Sequence, residues 1–104
     1  MSAADERQIE AERQLDELAD EFLSQGYAEF GDFYMPHRVV AGQSPLPASE
    51  IYGIRYDEHA QGFRVYYRDM GVKRILLEHG SWEEARTLYV EKVTELSPRR
   101  RGHA

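Results

Sequence analysis

A chain of 104 residues that is 41% hydrophobic and 31% charged has the size and composition of one globular domain, not of a disordered segment. It has no cysteine, which excludes a disulfide scaffold, a thiolate zinc site and a cysteine nucleophile. The formal net charge of −6 is concentrated at one end: residues 1–26 hold eight carboxylates against two arginines, whereas residues 27–104 are balanced.

Met1 to Asp20 is charged throughout and lacks the apolar stretch of a secretory leader. No apolar run approaches the ~18 residues that span a bilayer. A soluble cytoplasmic protein without a membrane partner is expected.

Residues 4–25 read as an amphipathic helix. Leu15, Leu18, Ala19, Phe22 and Leu23 recur at helical spacing, Ala11 and Ile9 extend the stripe, and Gly26 supplies a C-terminal cap. Glu6, Glu10, Arg13, Glu17, Asp20 and Ser24 fall on the opposite side. Residues 27–50 are irregular: Tyr27, Phe30, Phe33, Tyr34 and Met35 form a dense apolar group expected to join the core. Arg38–Ala41 is a candidate short strand, and Pro45 and Pro47 mark a loop.

Three strands follow. Ile51–Tyr56 puts Tyr52, Ile54 and Tyr56 on one face. Phe63–Arg68 alternates Phe63, Val65 and Tyr67 against Arg64, Tyr66 and Arg68. Val72–His79 is expected to turn Ile75 and Leu77 inward. The short turns at 57–62 and 69–71 favour an antiparallel meander. Residues 81–96 read as a second helix, opened by the Ser81-x-x-Glu84 capping box and closed by Ser97-Pro98, with 97–104 a frayed basic tail. The expected fold is a single α+β domain over 1–104: N-terminal helix, three-stranded antiparallel meander, C-terminal helix. Leu18, Phe22, Tyr67, Ile75 and Leu88 should share its core.

The chain offers no motif for catalysis. His37, His59, His79 and His103 have no metal-ligand spacing, no glycine-rich phosphate loop or Gly-x-Ser-x-Gly elbow occurs, and paired acids fall in a helix first turn or a hairpin turn. No catalytic residue, metal site or cofactor is assigned. Two surfaces remain. One is the acidic side of the first helix, with Glu10, Glu17 and Asp20, suited to a cationic partner. The other is the outward sheet face, where Arg64, Tyr66 and Arg68, joined by Arg55 and Arg74, have the composition of a protein-binding hot spot. The same mix of arginine and tyrosine also suits stacking of single-stranded bases, although the acidic helix would repel phosphate.

The segment Gly62-Phe63-Arg64-Val65-Tyr66-Tyr67-Arg68-Asp69-Met70-Gly71, followed by a strand and the acidic helix start Ser81-Trp82-Glu83-Glu84-Ala85, resembles a hairpin of small bacterial immunity proteins of polymorphic toxin systems. The resemblance covers about a third of the chain, and Met70 departs from its charged residue before the glycine. It implies a non-enzymatic protein that binds and blocks a cognate toxin, with a basic partner the expected match for the acidic helix. Single-stranded nucleic-acid binding through the Arg/Tyr face is the alternative.

Overall fold

The structure, a computed structural model, describes residues 2–43 and 46–100, the last three by their backbone alone. Helix α1 (Ala3–Ser24) leads through an irregular segment and a 3-10 turn (Pro36–Arg38) to strands β1 (Glu50–Asp57), β2 (Gly62–Asp69) and β3 (Val72–Gly80), and helix α2 (Trp82–Arg100) follows. The strands form one antiparallel sheet in the order β1-β2-β3, so the α+β meander expected from the sequence is the fold.

Helix α1 starts at a capping box in which the Ser2 hydroxyl accepts from the Asp5 amide and the Asp5 carboxylate accepts from the Ser2 amide. Ala11, Leu15, Leu18, Ala19 and Phe22 are its buried stripe. Ile9 and Leu23, expected to extend that stripe, are exposed. After Gly26, at φ 92°, the chain doubles back on the Phe22 side: the Tyr27 amide donates to the Phe22 carbonyl, and the Tyr27 ring packs edge-on against Phe22. Leu23 is left on the uncovered flank.

The irregular segment is pinned by side-chain hydrogen bonds. Asp32 accepts from the Ala28 amide (2.7 Å) and, through its other oxygen, from the Ser97 hydroxyl (2.9 Å), which ties the segment to α2. Phe33 and Met35 are fully buried, so the aromatic group does enter the core. Tyr34 makes a parallel bridge to Gly53, and its carbonyl accepts from the Ile54 amide (3.2 Å), which covers the outer edge of β1. The strand anticipated at Arg38–Ala41 does not form. Pro36 opens a 3-10 turn instead, with His37 and Arg38 drawn to Asp16, and Val39 and Val40 are exposed.

The core lies between the helices and one face of the sheet, where Ile54, Tyr56, Phe63 and Val65 meet Leu15, Leu18, Phe22, Ala85, Tyr89 and Val93. Phe22 stacks on Phe33 at 5.1 Å. Leu88 packs at the margin, and Tyr67, at the sheet end, is half-buried against Tyr52 with its hydroxyl on Glu50.

Strand β3 overturns two face assignments. Tyr66 pairs with Ile75, but Val65 pairs with Leu77, so Leu76 is an extra residue at a bulge. The bulge puts Ile75 on the outward face, 42% exposed, while Leu76 and Leu77 both reach the core margin. Arg74 pairs with Tyr67 and therefore lies on the inward side of the sheet, not beside Arg64 as the alternation suggested. Helix α2 starts at the Ser81/Glu84 box as expected but does not stop at Pro98. Pro98 forfeits its own amide hydrogen bond and crowds the Thr94 carbonyl, but buried Leu96 and Ser97 hold the preceding turn, and residues 97–100 are helical where a frayed tail was expected. Residues 101–104 of that tail lie outside the described residues.

Candidate functional site

The outward face of the sheet is built by in-register neighbours: Ile51 opposite Arg68, Gly53 opposite Tyr66, Arg55 opposite Arg64, and, across β2, Arg68 opposite Lys73. Gly53 has a specific reason to be glycine. The Tyr66 ring lies across it, and a Cβ there would sit 2.3 Å from the ring carbon that bears the hydroxyl. Tyr66 is thereby buried, at 2% exposure, although it points away from the main core. Burial raises its pKa well above the ordinary phenol value, so it stays neutral. The Lys73 ammonium lies over the ring, 4.4 Å from its centre. Arg68 lies over the ring of Tyr34 at 6.0 Å.

Around these rings runs a cleft of about 320 Å³ lined by Tyr34, Pro36, Arg55, Tyr66, Arg68, Gly71 and Lys73. Its charge is one-sided. Among the described residues, Arg7, Arg13, Arg38, Arg64, Arg86 and Lys92 all have a carboxylate within 4.0 Å. Arg55, Arg68, Lys73 and Arg74 have none, and all four are on the sheet; the first three line the cleft. The Lys73 ammonium is held below the usual lysine range, first by desolvation and then by repulsion from Arg55, Arg64 and Arg68.

The residues singled out in the sequence therefore fare differently. Arg68 is in the cleft and unpaired. Tyr66 is its floor, not an open platform. Arg64 turns to the hairpin end, where it meets Asp57 (3.4 Å) and Glu78 (3.7 Å), with its Nε buried and without a partner. On α1, Glu10 and Glu17 share Arg13, which holds the Glu10 carboxyl below the usual range. Asp20 is exposed with no ion-pair partner among the described residues. The other α1 acids are largely used as well: Asp16 by His37 and Arg38, and Glu21 by Arg86 of α2 (2.6 Å). Lys73 and Tyr34 were missed. Lys73 was legible in principle, because a two-residue turn at Met70-Gly71 sets Lys73 opposite Arg68. Tyr34 comes from the irregular segment, and no periodicity signals its place.

Among the described residues, His37 is the histidine whose ring meets a carboxylate. Its Nε2 is 2.7 Å from Asp16 Oδ1, and Arg38 Nη1 donates to the same oxygen at 2.9 Å. This is the orienting half of a nucleophile–base–acid arrangement. Among the described residues no nucleophile meets it: the other ring nitrogen, Nδ1, is buried with no hydrogen-bond partner. Among the described residues no group of three or more His, Asp or Glu is placed to hold a metal ion, and no helix is long and apolar enough to cross a membrane.

Comparison with protein-family models, with curated proteins and with solved structures returned no match for this chain.

Proposed function

We propose that this chain is a non-catalytic protein-binding module whose contact surface is the cationic cleft on the outward sheet face, and that its partner presents acidic groups there. The observation that carries this reading is the gathering of Arg55, Arg68 and Lys73, none with a carboxylate partner among the described residues, around the rings of Tyr34 and Tyr66. Arginine and tyrosine at the rim of a partly desolvated cleft have the composition of interface hot spots. The hairpin resemblance supplies the class of partner: a cognate toxin that the module covers and blocks. This revises the expected electrostatics. The acidic helix was to meet a basic toxin, but Glu10 and Glu17 already share Arg13, whereas the cations without a carboxylate partner among the described residues are on the sheet.

Base stacking is less well supported. It needs an accessible aromatic face, and Tyr66 is only 2% exposed, with Gly53 and Lys73 against its ring.

The test is co-expression with a toxin-like protein encoded beside this chain, reading growth rescue, followed by association kinetics of the purified pair. Arg68→Glu with Lys73→Glu should slow association or speed dissociation by at least about tenfold, with melting unchanged. The triple reversal Glu10→Lys, Glu17→Lys, Asp20→Lys should have a much smaller effect. The opposite ranking moves the site to α1. A purified chain that turns over a substrate and loses this on one point mutation overturns the module reading.

A further inference from the structure

The cleft ends at an open sheet edge. The far edge of β1 is covered by Tyr34, whereas among the described residues β3 pairs with β2 alone, and Val72, Lys73, Arg74 and Ile75 along it are all exposed. An edge strand carries unmet amide and carbonyl groups, and proteins often blunt it with charge or with bulges. Here the register shifts of β3 all lie beyond Ile75, and from Val72 to Ile75 the pairing with Asp69–Tyr66 is unbroken. One regular four-residue stretch is left open.

The side chains along that stretch carry a readable pattern. Lys73 and Ile75 face the cleft side of the sheet, and Val72 and Arg74 face the other. Each face thus presents one cation without a carboxylate partner and one exposed aliphatic, at 69% exposure for Val72 and 42% for Ile75. A strand laid against them puts its residues directly opposite, with Cβ atoms ~5 Å apart across the ladder. Opposite Val72, Lys73, Arg74 and Ile75 the complementary order is apolar, acidic, acidic, apolar. This order reads the same in both directions, so it fits parallel or antiparallel addition.

We propose that β3 accepts an added strand from the partner protein, an extended segment with an apolar–acidic–acidic–apolar core, whose acid opposite Lys73 points toward the cationic cleft. This rests on the reading of the cleft as the contact surface and names the chemistry of what enters it. Edge protection alone accounts for Lys73 and Arg74. It does not account for Arg55 and Arg68, which lie on β1 and β2 away from the edge and are equally without partners. Backbone pairing would supply affinity, and the alternating side chains register and specificity, as in other cases of strand addition.

The experiment uses the full chain and blocked octapeptides Thr-Thr-Val-Glu-Glu-Val-Thr-Thr, the reordered Thr-Thr-Glu-Val-Val-Glu-Thr-Thr, and the first peptide N-methylated at alternate residues. Binding is followed by amide chemical shifts and hydrogen exchange. The first peptide should bind and protect amides of Val72–Ile75, and reordering or methylation should weaken it by about tenfold or more. Lys73→Glu should do the same. Equal binding of all three peptides without protection of β3 overturns strand addition but leaves the cationic cleft standing, provided Arg68→Glu abolishes that binding. No binding by any of them overturns strand addition. If Arg68→Glu with Lys73→Glu also leaves the toxin complex intact, the cleft reading falls with it. Self-association that Ile75→Glu abolishes would make a second copy the occupant, and tighter binding of a single-stranded oligonucleotide would make it nucleic acid; either result overturns the proposal.

Discussion

Removing one hydroxyl from Tyr89 should loosen the scaffold of the cleft. Tyr89 is fully buried in α2, and its oxygen sits among three backbone groups: the Tyr34 amide donates to it at 2.9 Å, the Tyr52 carbonyl is 2.8 Å away, and the Tyr34 carbonyl 3.2 Å. A phenol has one proton, which goes best to the nearer Tyr52 carbonyl, while the Tyr34 carbonyl also accepts from Ile54. Tyr89→Phe therefore deprives two groups, the Tyr34 amide and the Tyr52 carbonyl, in a place closed to water by the ring itself. Each unmet buried group costs about 1–3 kcal/mol. With Tyr34 only half-buried, the total should be about 2–4 kcal/mol, or about 10–25 °C in melting temperature for a chain of this size. Urea titration and thermal melting by circular dichroism measure this. Tyr52→Phe is the control, because that hydroxyl makes no hydrogen bond among the described residues and its loss should stay within about 0.5 kcal/mol. A Tyr89→Phe loss as small as the control would refute the view that this hydroxyl joins the irregular segment to β1.

Gly53→Ala should cost about 1–3 kcal/mol by forcing Tyr66 off its seat, and Tyr66→Ala in the same chain should remove most of that penalty, measured as a double-mutant cycle in urea. Met70→Asn should stabilise by about 0.5–1 kcal/mol, because Met70 holds φ 49° beside Gly71 at 87° in a turn that favours Asn-Gly, and its side chain is exposed. A melting temperature that does not rise would count against this. Asp16 gives a pH dependence: desolvation works against its charge, but hydrogen bonds from His37 and Arg38 prevail and hold its carboxyl below the ordinary 3.8. A lowered carboxyl stabilises the fold above that value and loses the contribution as pH falls through the folded pKa. The advantage of the wild type over Asp16→Asn in urea midpoint should therefore be present near neutral pH and shrink in acid; a constant gap refutes it.

The order of elements was legible because its signals are local. Helical spacing from Leu15 to Phe22, the Ser81/Glu84 box and alternation from Phe63 to Arg68 each act within a few residues, and all three appear in the structure. What was not legible depends on partners distant in sequence. The face of Ile75 turns on one extra residue at Leu76, and Ile75-Leu76-Leu77 carries no mark of which residue will bulge. Pro98 was read as a stop, yet Ser97 is held by Asp32 across 65 positions. For the candidate site, alternation placed Arg64, Tyr66 and Arg68 on one face correctly, but it gave no access to burial. Tyr66 is covered because Gly53 lets it lie flat, and Arg64 is used up by Asp57 and Glu78.

The charge count shows the same limit from the other side. Eight carboxylates in the first 26 residues make a conspicuous excess, and like charges on one helix do cost a few tenths of a kcal/mol per pair. The fold offsets that cost: Arg13 bridges Glu10 and Glu17, Arg38 reaches Asp16, and Arg86 reaches Glu21. The sheet does the reverse. Acids on the same strands are within sequence reach of the cleft, but Glu50 goes to the Tyr67 hydroxyl, pushing it up to about 12, while Asp57 and Glu78 go to Arg64. An unpaired cation in open water is nearly free of cost, so exposure alone would mean little. Lys73 is exposed, but its ammonium is not fully hydrated. It lies on the Tyr66 ring, partly desolvated, with Arg55, Arg64 and Arg68 all opposing its charge. A surface serving solubility alone would disperse these groups or pair them with the acids already on the strands. Their convergence on one cleft beside an open strand edge is the arrangement that an acidic, extended partner would complete.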